Sequence, residues 1–231
     1  MANLTLRLCA VTLAAVFLSA CGADMPTRDE LAELHPDVTN DVVPENKQII
    51  CPFLRMIERA GLFTEDGNET GVLNRMTVVS GTTEFGCDSL FCSTLANSTG
   101  AAQGLAGKVD VEALASTPGI SHECGLTFGF GSKQVDDMVR EDTLDRLFAL
   151  ADEDGRLVFN DLMSVKLAIC AEQGVEISAL GDGEVKLIFA FLGGVDRGFV
   201  DFADVDAFLH ARLPETITGQ RLSTSLLGKV Q

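Results

Sequence analysis

Apolar residues recur at steps of three and four in several short blocks, and glycine follows most of them. That pattern commits the chain to short helices with breaks between them. In Gln48–Phe63, QIICPFLRMIERAGLF, Phe53, Leu54, Ile57 and Leu62 fall near one helical face. Pro52 suits the first helical position, which makes Cys51 the N-cap, and Gly61 is the stop. Leu144, Leu147, Phe148 and Ala151 share one face of a helix over Glu141–Ala151. Asn160 caps the next helix, with Leu162, Val165 and Ile169 inward and Gly174 at its end. Gly183–Leu192, GEVKLIFAFL, is nearly all apolar and should be buried on most sides. Asp201 caps a last helix with Val205, Phe208 and Leu209 on its inner face. His210 sits at that helix's C-terminal end, where the dipole favours a protonated imidazole. Val72–Ser80 and Phe85–Leu95 are expected as helix, Asn97–Gly107 as a Gly-rich loop and Val109–Ala115 as a short helical turn. The expected fold class is mostly α: a single compact helical domain with Gly-rich loops.

With 231 residues, 46% of them hydrophobic, there is enough chain for a sizeable core. The formal net charge of −17 argues against nucleic acid or anionic lipid headgroups as partners. There is no Trp and no Tyr, so an aromatic platform for bases is not expected. Residues 1–20 read as a secretory signal peptide: one early positive charge, a short apolar run, then Leu18-Ser19-Ala20-Cys21. Those four residues resemble the bacterial lipobox, which implies lipidation at Cys21 and an exported lipoprotein held to a membrane by that anchor alone. Residues 21–43 are expected as a polar tether, with His35 solvated, 44–217 as the helical domain and 218–231 as a C-terminal tail.

After Cys9 and Cys21, five cysteines remain: Cys51, Cys87, Cys92, Cys124 and Cys170. An odd number cannot all pair within one chain. Cys87 and Cys92 could close a small loop; the rest of the connectivity stays open. Cys51 at a helix N-terminus sits beside unpaired N–H groups, which lowers a thiol's pKa and favours the thiolate that a metal or a nucleophilic reaction needs. The plainer alternative is a small buried apolar residue or half of a disulfide. His122-Glu123 is a His–carboxylate neighbour pair. Glu184 opens the apolar run and could complement the dipole or line a pocket. Two acidic loops, at Asp152–Asp161 and Asp196–Asp204, look like EF-hand calcium loops. The first has Leu150 where the first ligand belongs and Asp161 at the twelfth position. The second puts Val195 and Arg197 at ligand positions.

Taken in order, these segments resemble the haem-thiolate peroxidases of the chloroperoxidase and unspecific peroxygenase type. Ile50-Cys51-Pro52 stands for the family's Pro-Cys-Pro, and Ser121-His122-Glu123-Cys124-Gly125-Leu126-Thr127 for its second motif, after the lead-in VDVEALASTPGI. Gly183-Glu184 opens an apolar helix, and Arg212-Leu213-Pro214 stands near the end. The resemblance spans roughly 44–217. It implies haem b, with Cys51 as axial iron ligand, Glu184 as acid–base toward hydrogen peroxide and His122 as the residue that orients it. The family's structural magnesium uses three oxygen ligands of the second motif; here these are Ser121, Glu123 and Gly125, so Glu123 alone keeps a carboxylate for it. The first proline of Pro-Cys-Pro is Ile50, and Ile177 stands where longer members place an Arg.

The expected function is therefore a haem-thiolate peroxidase or peroxygenase that uses hydrogen peroxide to oxidise, oxygenate or halogenate a small organic substrate. Two alternatives stand beside it: a non-enzymatic helical lipoprotein that kept the fold without haem, and a weak calcium-binding lipoprotein.

Overall fold

The structure is a computed structural model and describes residues 25–64, 71–121 and 124–230. These residues are mostly helical, with ten α-helices and two short two-stranded sheets. The expected signal peptide and Cys21 lie outside them, as do His122 and Glu123.

The first helix, α1 (Arg28–Leu34), corrects the expected tether. It opens on a capping box: the Thr27 hydroxyl accepts from the Glu30 N–H, and the Glu30 carboxylate accepts from the Thr27 N–H at 2.8 Å. Leu31 is fully buried, as is Val38 on the 3-10 turn after α1. The Val38 carbonyl accepts from the Leu213 N–H at 2.8 Å, so from Met25 on this segment belongs to the body of the protein. His35 is buried rather than solvated: Nε2 lies 2.7 Å from a Glu84 carboxylate oxygen, and the ring packs on Phe85.

Helix α2 (Pro52–Arg59) starts as its sequence requires, with Cys51 extended at the N-cap and Pro52 at the first position. It ends before Gly61, which takes φ +75°. The next segment differs from expectation. Strand β1 (Val72–Asn74) precedes α3 (Arg75–Glu84), and the Asn74 side chain caps that helix. Helix α4 (Ser89–Ala102) runs on through residues expected as loop. Strand β2 (Lys108–Asp110) then pairs antiparallel with β1, with Leu73 facing Val109, where a helical turn was expected. Gly100 explains the longer helix. A Cβ there would lie 2.3 Å from the Lys108 carbonyl oxygen, so glycine lets α4 press against the β2 backbone.

The second half holds α5 (Asp137–Leu150), β3 (Arg156–Leu157), α6 (Phe159–Glu172), α7 (Ala179–Phe191), α8 (Gly194–Arg197), β4 (Val200–Asp201) and α9 (Phe202–Leu209). It forms two helix–loop–helix units, α5–α6 and α7–α9. Their loops meet in the β3–β4 ribbon, where Leu157 faces Val200. In both loops a carboxylate accepts from groups of the protein itself. Asp152 Oδ1 accepts from the N–H groups of Asp154 (3.0 Å) and Arg156 (2.8 Å), and Asp161 accepts from the Val158 N–H. In the second loop the Arg197 guanidinium donates to Asp201 and to the Leu192 carbonyl at 2.7 Å each. Asp204 is buried and accepts from the N–H groups of Glu215 (2.8 Å) and Thr216 (3.2 Å). Among the described residues, no group of three or more His, Cys, Asp or Glu is arranged to hold a metal.

The helices close over a core in which Phe53 and Phe208 both pack on Phe191 at 5.2 Å between ring centres. Leu162, Val165 and Ile169 point inward on α6, and Val205, Phe208 and Leu209 on α9, as their spacing requires. Phe148 does not: it is 69% exposed and packs edge-on against Phe202 at the surface. The expected C-terminal tail is also structured. Leu222, Leu226 and Val230 are buried around α10 (Thr224–Leu227), and Leu222 exchanges backbone hydrogen bonds with Gly86 and Asp88. Among the described residues, no helix is long and apolar enough to cross a membrane.

Candidate functional site

Cys87 is bonded to Cys92 and Cys124 to Cys170, which leaves Cys51 free. The peptide that presents Cys51 is tightly held. Arg55, one turn into α2 and fully buried, donates to the Ile49 and Ile50 carbonyls at 3.0 Å each and to the Leu209 carbonyl at 2.8 Å. Its guanidinium pairs with Glu45, which also binds Arg140. Burial pushes Arg55 down to about 10, still well above neutral pH, so it stays a cation beside the Cys51 helix.

Cys51 opens onto a cavity of about 390 Å³, within the range of roughly 300–1,000 Å³ typical of small-molecule sites. Its partial exposure is toward this cavity. Leu54, Phe91, Leu114, Phe128 and Leu187 are among the walls, and Glu184 lines the same space. The other oxygen-bearing side chains on it are Thr82 and Thr99, both bonded back to carbonyls of their own helices. Among the described residues, no lysine or arginine lines it.

The thiol's electrostatics correct the sequence reading. Burial in the apolar wall pushes the Cys51 thiol up and outweighs the N–H groups of Leu54 and Phe53 and the Arg55 charge, which pull it down. The Glu184 carboxylate adds to the upward push. A helix N-terminus alone therefore does not make this sulfur a thiolate; a bound cation would have to.

Glu184 stands in the second turn of α7, not at the helix mouth. The helix begins at Ala179, where the Ser178 hydroxyl accepts from the Gly181 N–H at 3.2 Å. Behind Glu184 lies Lys166 of α6, with no exposed surface. Its ammonium donates to Glu184 Oε2 and, at 2.5 Å, to the Cys124 carbonyl oxygen. Lys166 is the residue that the sequence reading passed over. The signal was present: Lys166 sits inside the stripe Leu162–Val165–Ile169, at a position where a solvated lysine has no place. The structure thus brings Cys51 and Glu184 to one cavity. The motif residues His122 and Glu123, the latter the magnesium candidate, lie outside the described residues.

A haem b needs an iron ligand, apolar walls for the macrocycle and partners for two propionates. Cys51 provides a free sulfur on a rigid helix start, and the walls are apolar. In ligand and walls the residues fit the group; the lining residues supply no cation for the propionates.

The chain matches no family model, no curated protein and no solved structure.

Proposed function

We propose that the protein is a haem-thiolate peroxidase or peroxygenase acting on hydrogen peroxide and a small apolar substrate. The reading is carried by one observation: the free cysteine and an ion-paired carboxylate line a single apolar cavity. The cavity stands open beside Cys51, whose sulfur takes part in neither disulfide. Cys51 would hold the haem iron as thiolate, and the positive metal offsets the burial that otherwise keeps the thiol protonated. Haem, when bound, supplies the electrons for O–O cleavage and the oxidising power. The chain's own part is proton transfer and exclusion of water. Glu184 takes the proton from one peroxide oxygen and returns it to the other, which leaves as water. Leu54, Phe91 and Phe128 keep bulk water away and favour an uncharged substrate.

The Cys87–Cys92 and Cys124–Cys170 bonds support an exported protein, since such bonds persist in oxidising compartments. With Cys21 lipidated, it would work at a membrane surface. The test is peroxide turnover by protein loaded with haem. Glu184→Gln should lower it by about 100-fold while leaving haem bound; turnover unchanged in that variant overturns the assignment of Glu184.

A second reading has its own observation. A cavity without a lysine or arginine in its lining suits a neutral apolar molecule as well as it suits haem. On that reading the protein is a non-enzymatic binding lipoprotein of the same fold. Failure to take up haem, together with saturable uptake of a neutral apolar dye, would favour it. No calcium-binding role is proposed, because Leu150, Val195 and Arg197 stand at ligand positions of the two loops.

A further inference from the structure

Lys166 is a charged side chain with no exposed surface, on the buried face of α6 that also carries Leu162, Val165 and Ile169. A buried ammonium persists only where its hydrogen bonds are met and its charge is balanced. Both conditions are met by the site. Glu184, on the neighbouring helix α7, supplies the charge. The Cys124 carbonyl oxygen, 2.5 Å away, supplies a second acceptor. That carbonyl is where it is because of a covalent bond. Cys170 follows Lys166 by one turn on the same face of α6, and its bond to Cys124 draws the incoming chain across that face. Gly181 on α7 leaves room for the stem: a Cβ there would already touch Lys166 Cε at 3.4 Å. The ammonium does not line the cavity itself; the carboxylate it holds does.

We propose that Lys166 is the positioning residue of the cavity acid. Anchored on Cys124 by the Cys124–Cys170 bond, it fixes the Glu184 carboxylate at the cavity wall. The proposal rests on Glu184 being the acid–base of the proposed function, but the contact itself is tested without haem. Among the described residues, Cys51, whose thiol feels Glu184, and Arg55 on α2, which feels both, also act on this corner. The charge of the ammonium balances that of the Glu184 carboxylate.

The experiment compares the parent with K166M, K166R and E184Q. Infrared difference spectra of haem-free protein at neutral pH report the carboxyl. K166M should gain a protonated-carboxyl band that the K166M/E184Q double variant lacks, and K166R should not gain it. With haem and peroxide, K166M should lose about 100-fold in kcat with little change in KM, and K166R should recover most of the loss. A folded K166M with the parent's carboxyl spectrum and turnover overturns the proposal. If K166M does not fold, nitrogen-15 lysine spectra of the parent decide: one slowly exchanging ammonium should be present and should shift in E184Q. No such signal overturns the proposal as well. Failure to bind haem with the carboxyl result intact would sink the peroxidase reading and leave the positioning contact standing.

Discussion

Lys166 donates to the carbonyl oxygen of Cys124, the residue whose sulfur is bonded to Cys170 one turn further along α6. The bond therefore does two jobs. It closes a loop across a sequence separation of 46, and it holds the acceptor for a buried charge. The C124S/C170S pair should cost roughly 4 kcal/mol from loop closure alone. The C87S/C92S pair, across a separation of 5, should cost roughly 2 kcal/mol. Urea unfolding of both variants against the parent checks the order; an equal cost would show that loop length does not govern it.

Gly100 is tightly placed inside a helix. A methyl group there meets the Lys108 carbonyl at 2.3 Å, and backbone on both sides cannot step back cheaply. Gly100→Ala should destabilise by about 2 kcal/mol, despite alanine's better helix propensity. Gly183→Ala, where an added Cβ meets nothing within 4 Å, should instead stabilise by about 0.5–1 kcal/mol. Parallel urea titrations of the two variants give the contrast.

His210 caps α9 and is raised above its ordinary pKa, first by its hydrogen bond with Asp206, against burial that lowers it. Asp206 is held below the usual range, first by the same hydrogen bond. A raised histidine gives its stability in full below the unfolded value of about 6.5 and loses it as pH rises through the folded value. The Asp206 part is present above its unfolded value of about 3.9 and is lost as pH falls through the folded one. Between pH 6 and 8.5 the parent should therefore lose stability that His210→Gln does not, by about 0.5 kcal/mol. Denaturant midpoints across that range measure it; parallel curves for the two proteins would contradict the pairing.

The parts of the fold legible in the sequence are those set by local chemistry. Pro52 after Cys51, Gly61 beyond the helix and the inward faces of α6 and α9 all follow from spacing and caps. Helix α1 carried a readable signal too, since Thr27 and Glu30 form the S/T-x-x-E pattern of a capping box; its polar composition hid it. Gly100 looked like a loop residue because nothing local shows that a strand will lie 2.3 Å from its missing side chain. His35 looked solvated because Glu84 and Phe85, its partners, lie far along the chain. At the cavity, Cys51 and Glu184 stand in ordered motifs of the sequence, whereas Lys166 is marked only by its place in an apolar stripe. The direction of the Cys51 shift was misread because the dipole is local and the apolar wall that outweighs it is assembled from distant segments.

The account turns on whether Cys51 holds haem iron. The direct measurement is the absorption spectrum of the mature protein loaded with haem b, reduced under carbon monoxide, for the parent and for Cys51→Ala. The account predicts a strongly red-shifted Soret band in the parent, the mark of thiolate ligation, and its loss in Cys51→Ala. A parent that takes up no haem, or whose reduced carbonyl band is the same with and without Cys51, would contradict it.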